Sequence, residues 1–311
     1  MNNDSVLLIG FGGPESADDV QPFLANVLRG RRVSKERVEE VARHYEAIGG
    51  RSPINDLTNR QAYALKSTLE QRGFLLPIHT GMRNWHPFLT DSVQQMASEG
   101  IERAIGLIMA PQQCDASRER YQRDVDEAVS KASVQFSVRY PKSFHDHPLF
   151  IKAAAARAEE SLDQFASGDR DNTTLVFTAH SIPLTDPHQQ RYASQVETSS
   201  QLVAEHIKHP RYQVAYQSRS GHPSDPWLGP DVNDTLRQLA DQNNRHIIIV
   251  PIGFVCDHVE VLYDLDVEAF ATANKLGMKL FRAKTVNDDP LFIEMLADLV
   301  LENLNANQPI R

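Results

Sequence analysis

Cysteine is scarce in this chain: Cys114 and Cys256 are its only two in 311 residues. Two thiols so far apart build neither a disulfide framework nor a CxxC metal site, which excludes stapled secreted domains and structural zinc folds. No apolar run approaches the roughly 20 residues of a membrane span. The start, MNNDSVLLIG, lacks the basic first region and long apolar core of a secretory signal. Positive charge is also short, with 32 Lys and Arg against 41 Asp and Glu and a formal net charge of -9. No Lys/Arg block offsets that balance, so a nucleic-acid partner is not expected. The chain has no GxSxG nucleophile elbow and no HExxH zinc helix. Its first glycine loop, FGGP at 11–14, fits neither the dinucleotide nor the P-loop pattern. These absences leave a reduced, cytoplasmic, globular enzyme or binding protein without stable membrane insertion.

What is present is a repeated pattern of short apolar run, loop and amphipathic helix. Strands are expected at 6–10, 76–80, 104–110, 134–139, 174–178, 213–216, 246–255 and 279–282. Helical periodicity fills most intervals, as at 57–72, 89–99, 117–131, 149–165, 189–207, 232–241 and 291–304, and 17–72 reads as three helices. Strands alternating with helices imply parallel sheets built from βαβ units. A single β/α barrel is the other eight-stranded solution, but the uneven helices favour two open sheets. The expectation is an α/β protein of two doubly wound, Rossmann-like (flavodoxin-like) domains, each with a four-stranded parallel sheet, facing one another across a cleft. The expected domains are 1–142 and 143–289, with a last helix at 290–306 packing back on the first.

Open parallel sheets bind ligands beyond the carboxyl ends of their strands. The loops there are FGGP (11–14), GMRNWHP (81–87), PQQC (111–114), AHSIP (179–183), QSRSG (217–221) and CDHVE (256–260). The richest stretch is PIGFVCDHVEVLYDLDVE at 251–268, whose Glu260, Asp264 and Glu268 are spaced by four and so share one face of a helix. A solvated charged stripe is the ordinary reading of such a helix. Val259, Val261, Leu262, Leu265 and Phe270 surround it, however, and a buried carboxylate needs a proton, a cation or a wet cavity. His180, directly after LVFTA, ends another strand of the same half, and a lone His there is more often structural than catalytic. Facing Glu260 across a cleft, it could hold a divalent metal or relay protons. In the first half Arg83, Asn84 and Trp85 offer a cation and an aromatic face to a planar anionic ligand. Arg29, Tyr45, Ser52 and Tyr121 lie near the same loops, and none is specific singly.

Five segments together carry a resemblance: HYEAIGGRSPI (44–54), GMRNWHPF (81–88), FTAHSIP (177–183), QSRSGHPSDPWLGPDV (217–232) and the 251–268 stretch. Over nearly the whole chain they resemble the ferrochelatase family. The resemblance implies insertion of ferrous iron, as substrate, into a porphyrin with release of two pyrrole protons. His180 and Glu260 match the paired metal-binding and proton-accepting residues. Asp264 and Glu268 match an acidic line that passes metal or protons inward. Phe11, Arg29, His44, Tyr45, Ser52, Arg83, Asn84, Trp85 and Tyr121 are the implied porphyrin-binding set, and the cleft is expected to hold the macrocycle bent.

The polar, compact interval FLANVLRGRRVSKERVEEVARHYEAIGG, with Arg29, Arg31, Arg32 and Arg43, makes the chain look like the short members that use coproporphyrin III. Protoporphyrin-using members carry a longer apolar lip there. Phe11 stands where many short members have a Tyr that can ligate iron, and His44 where an Arg often precedes the Tyr. Two cysteines imply no iron–sulfur cluster, and no permanently bound cofactor is expected. A monomer is expected, with a coproheme decarboxylase as a possible transient partner. The alternatives are a protoporphyrin ferrochelatase, a cobalt or nickel chelatase of the same fold, and a non-enzymatic tetrapyrrole carrier.

Overall fold

A computed structural model describes residues 4–30, 33–220 and 225–305. Arg31 and Arg32, residues 221–224 of the QSRSG and 217–232 segments, and residue 306 of the expected last helix lie outside the described residues. The chain divides into two compact units, one of Met1–Met109, Ala116–Lys142 and Asp288–Arg311, the other of Ala110–Asp115 and Ser143–Asn287.

The first unit holds β1 (Asp4–Gly10), β2 (Ile78–Met82), β3 (Arg103–Ile108) and β4 (Ser137–Arg139) in the order β2-β1-β3-β4, all parallel. β1 is central because Val6 to Ile9 are apolar on both faces, and all four are fully buried. Around the sheet run α1 (Val20–Val27), α2 (Lys35–Ala47), α3 (Ile54–Gln71), α4 (Leu89–Ser98) and α5 (Arg120–Ala132). The last helix of the chain, α12 (Pro290–Asn305), packs against α3. It buries Phe292, Met295, Leu296 and Val300, and its Asp298 takes a 2.7 Å bond from Arg72.

The second unit repeats the plan with β5 (Thr174–His180), β6 (Tyr212–Gln217), β7 (His246–Val250) and β8 (Lys279–Arg282), in the parallel order β6-β5-β7-β8. Its helices are α6 (Pro148–Leu162), α7 (Ser167–Arg170), α8 (Gln189–His206), α9 (Val232–Asp241), α10 (Val259–Leu262) and α11 (Phe270–Lys275). Start signals are physical: Pro148 opens α6 where its missing N–H costs nothing, and the Asp231 carboxylate accepts from Asn233 N at 2.8 Å to cap α9. Two open sheets, not a barrel, are what the chain forms.

Four expectations need correction. The apolar run to residue 255 is strand only to Val250: Pro251 has no N–H to give a ladder, and Gly253 N turns instead to the Thr178 carbonyl at 3.0 Å. The helix carrying the three acids is not one α-helix. α10 passes into a π segment, Asp264–Ala269, in which Glu268 N reaches back five residues to Tyr263 O at 3.0 Å, before α11 resumes. Nor is it buried all round. Val261, Leu265 and Ala269 are fully buried, but Phe270 is 45% exposed. The helix expected at 117–131 likewise opens on a π segment, Asp115–Glu119, before α5.

Candidate functional site

The order of the second sheet reverses between β5 and β7, and it is there that an open parallel sheet leaves a crevice beyond its strand ends. His180 is the last residue of β5, and the loop leaving β7 leads to Glu260. Gly253 seats that loop. A Cβ on it would lie 2.6 Å from the Ala179 Cβ and 2.7 Å from its Cα, so only glycine lets the loop lie against the end of β5. Gln112 steadies the same loop by donating to the Ile252 carbonyl at 3.3 Å.

The two side chains meet, with His180 Nε2 3.6 Å from Glu260 Oε1. Each is about one-third exposed, at 33% and 32%. The Ser181 carbonyl accepts from His180 Nδ1, which turns Nε2 toward Glu260. The buried Tyr192 hydroxyl donates to the His180 carbonyl at 2.9 Å. Burial pushes that phenol well above its usual range, so it stays a neutral donor. Burial alone would lower the His180 pKa, but the Glu260 carboxylate outweighs it and raises the imidazole to about 9. Burial acts to raise Glu260, and the His180 charge and hydrogen bond, joined by His258, hold it well below the usual carboxylate range.

His258 is the residue sequence reasoning missed. Its Nε2 lies 3.3 Å from Glu260 Oε2, while its Nδ1 donates to the Cys256 carbonyl at 3.0 Å. It sits two residues before Glu260, and an extended backbone at His258 (φ -159°, ψ -175°) brings both side chains to one place. Also missed was Ser218, whose hydroxyl donates to Asp264 Oδ2 from a left-handed backbone (φ 60°). Asp264 itself is half-buried. Burial, then the charges of Glu260 and Glu268, raise it to about 7 against the opposing Ser218 bond. Glu268 is exposed, so the three acids run from a sheltered pair to solvent. Among the described residues no group of three or more His, Cys, Asp or Glu is disposed to hold a metal ion. The arrangement is a two-sided pair with an acidic exit, suited to passing a cation and protons.

In the first unit the expected porphyrin-binding residues form a different kind of assembly. Phe23, which sequence reasoning did not single out, is its hub: Phe11, Tyr45 and Trp85 meet it edge-to-face at centroid distances of 6.2, 5.8 and 6.1 Å. Asn84 donates to the Phe11 carbonyl at 3.2 Å, its own carbonyl accepts from Asn26, and Asn26 accepts from Arg29 at 2.8 Å. Ser52 N donates to Pro14 O at 2.8 Å, and a Cβ on Gly13 would lie 2.7 Å from the Ser52 Cβ. FGGP therefore uses glycine for close packing of loops. Tyr45 and Trp85 are buried, at 3% and 9% exposure, more deeply than an open stacking platform requires. Arg83 is held by Asp124 at 2.6 Å and lies 5.7 Å over the Tyr121 ring, so its charge is already paired. Burial, then the charge of Arg37, lowers the half-buried His44 below its ordinary value.

A sequence profile of one family, Ferrochelatase, matches residues 3–304. A coproporphyrin III ferrochelatase of Mycolicibacterium smegmatis is 39% identical over all of this chain and 93% of its own length. A ferrochelatase of Rhodopirellula baltica is 39% identical over 97% of this chain and 86% of its own. Among solved structures, the sirohydrochlorin chelatase SirB of Bacillus subtilis subspecies spizizenii, in complex with cobalt, has a TM-score of 0.58 at 10% identity, covering 98% of this chain and 96% of that one. That likeness is one of fold.

Proposed function

The chain belongs to the ferrochelatase family, and we propose that the porphyrin it metallates is coproporphyrin III. Family membership makes it a metal chelatase of heme biosynthesis with a porphyrin substrate. The observation that carries the finer reading is the character of α2. Where protoporphyrin-using members carry an apolar lip, this helix buries only Ala42 and Tyr45 and exposes Lys35, Glu36, Glu39, Arg43 and Glu46. Arg29 is exposed nearby in sequence. A polar surface offers no apolar lip to a hydrophobic porphyrin, and Arg29 and Arg43 are the cations on it that could meet propionates. The name of the Mycolicibacterium relative supports the same reading, whereas that of the Rhodopirellula relative does not specify the porphyrin. Among the described residues no helix is long and apolar enough to cross a membrane.

His180 and Glu260 receive the ferrous ion and Asp264 and Glu268 serve as its proton exit. In the metal-free protein the pair is an imidazolium and a carboxylate, because His180 keeps its proton to about pH 9. Iron entering the pair displaces that proton, and Asp264, held to about 7, is the neighbouring group able to take it and release it toward exposed Glu268. When the ion moves to the porphyrin nitrogens, the neutral Nε2 of His180 and the Glu260 carboxylate are both free again, one to accept each of the two departing pyrrole protons. A neutral imidazole and carboxylates are acceptable ligands for ferrous iron without being a trap for it. We hold that no iron–sulfur cluster is present, since two buried cysteines are half of the four thiolates such a cluster takes. Iron and acid-labile sulfide analysis of anaerobically purified protein checks that.

The deciding experiment is anaerobic ferrous-iron insertion with coproporphyrin III and protoporphyrin IX side by side, without detergent. Turnover of coproporphyrin well above that of protoporphyrin is the expected result, and the reverse preference overturns the substrate assignment. Tight porphyrin binding without turnover of either would favour a carrier.

A further inference from the structure

Asp257 and Asp266 bracket the segment that carries Glu260 and Asp264, and both are held by one side chain. Arg282, the last residue of β8, places Nη1 3.0 Å from Asp257 Oδ1. Its Nε and Nη2 bind Asp266 as a fork, at 2.6 Å to Oδ1 and 2.9 Å to Oδ2. The guanidinium is 11% exposed and Asp257 15%. Asp257 is fixed a second time by Asn287, which donates to its Oδ2 at 3.3 Å and accepts from its backbone N at 3.2 Å. Asn287 N donates in turn to the Val255 carbonyl at 2.9 Å, from a left-handed backbone (φ 47°). One edge strand thus grips the entry to the segment and the middle of its π turn.

We propose that Arg282 is a positioning residue for iron insertion: by tying Asp257 to Asp266 it holds the π turn in register and so sets the placement of Asp264 relative to the His180–Glu260 pair. The inference rests on the reading of that pair and of Asp264 given above. A buried ion network of this kind gives little net stability over a well-packed apolar replacement, so its effect lies in selecting one geometry. A π turn needs such selection, because the same residues can rewind to α-helical bonding and rotate everything beyond it. Arginine is required for the task, since lysine offers a point charge and not a fork that reaches two carboxylates in fixed directions.

The test compares Arg282→Met, Arg282→Lys and Asp266→Asn with the wild-type protein in anaerobic ferrous-iron insertion. Melting temperature, the KM for each substrate and the pH profile of kcat are measured on each. The expected result for Arg282→Met is a loss of about tenfold in kcat/KM for iron, the scale of a sub-ångström misplacement in a site. The porphyrin KM stays unchanged and the pH profile shifts, while the melting temperature falls because Met leaves the Asp257 and Asp266 carboxylates without their cation. Arg282→Lys recovers part of the loss. Asp266→Asn, which loosens only the outer arm and is half in solvent, shows a smaller version of the same pattern and remains informative if Arg282→Met does not fold. Unchanged iron kinetics in Arg282→Met or in Asp266→Asn overturn the proposal. So does a loss spread equally over the iron and porphyrin kinetics, which marks a purely structural role. His180→Ala in the same series separates the two readings: if it too retains full turnover, the metal-site assignment falls first, whereas silence of the Arg282 and Asp266 variants alone removes only the clamp.

Discussion

The two sheets share one strand order, yet the loops at their strand ends are built from opposite materials. Beyond β1 and β2 the first unit gathers rings around Phe23, and its arginine at the site, Arg83, is already neutralised by Asp124. Beyond β5 and β7 the second unit gathers imidazoles and carboxylates, among which His180 and Glu260 drive each other's pKa values apart and burial raises Asp264. Apolar rings contribute shape and stability and carry no proton. Coupled acids and bases contribute chemistry and little net stability. A chelatase needs both a shaped surface for a macrocycle and a place for a cation and two protons, and on the function proposed above each set of loops would supply one of them.

If this division is real, substitutions in the two units fail in different ways. The largest effect is expected for His180→Ala and Glu260→Gln, which should lower kcat about 10²–10⁴-fold, the range of a lost acid–base group. The denaturation midpoint should fall only modestly, because both side chains are one-third exposed and solvent screens their ion pair. Loss of folding in either variant would mean the pair is scaffold and not chemistry. Phe23→Ala tests the other half. Its ring is 1% exposed and meets three others, so truncation should cost about 3–5 kcal/mol in urea unfolding. Ferrous-iron binding at the second unit should be unaffected. Weakened iron binding in Phe23→Ala would blur the comparison.

A substitution at the loop seat should do both at once. In Gly253→Ala the new methyl meets the Ala179 backbone and Cβ, neither of which can swing away. The loop must lift, at about 1–3 kcal/mol for overpacking, and Glu260 moves off His180. A variant with normal stability and normal turnover would show that the seat tolerates a side chain.

How much of this was legible beforehand depends on whether the signal is local. β1 and β7 announce themselves as VLLI and HIII, and His180 and Glu260 as residues at the ends of such runs. The end of β7 was overread because apolar composition runs on to Val255, while the strand stops at the proline. The π turn leaves no trace in hydrophobic spacing: Val261, Leu265 and Ala269 are four apart, as on an ordinary α-helix, and all are buried. The contacts that reach it come from elsewhere in the chain, among them Arg282 to Asp266 and Ser218 to Asp264. Phe23 was invisible as a hub because its partners, Phe11, Tyr45 and Trp85, come from three distant segments. His258 was overlooked although it stands beside Glu260, since only the extended backbone at that residue reveals that the two side chains converge.

The smallest expected effect is also the most specific to the acidic side of the comparison. Asp264 is raised from 3.8 to about 7, by burial first and then by Glu260 and Glu268. Between those values the folded protein holds a proton that the unfolded chain has released, so stability falls as pH rises through that window. The His180 pair adds to the same slope higher up: its stabilisation is complete below 6.5 and lost as pH rises through about 9. Glu260 works in the opposite sense, stabilising above 4.5 and failing only as pH falls through its depressed value. Asp264→Asn removes the first of these contributions and leaves an amide oxygen for the Ser218 hydroxyl. It should therefore stabilise the metal-free protein at pH 8 by about 1–2 kcal/mol after allowance for partial solvent screening, and leave it unchanged below pH 3.8, where folded and unfolded chains are both protonated. Urea midpoints at the two ends of that range measure the difference. An equal effect at both would mean that Asp264 carries no retained proton, and the exit from the His180–Glu260 pair would have to be sought elsewhere.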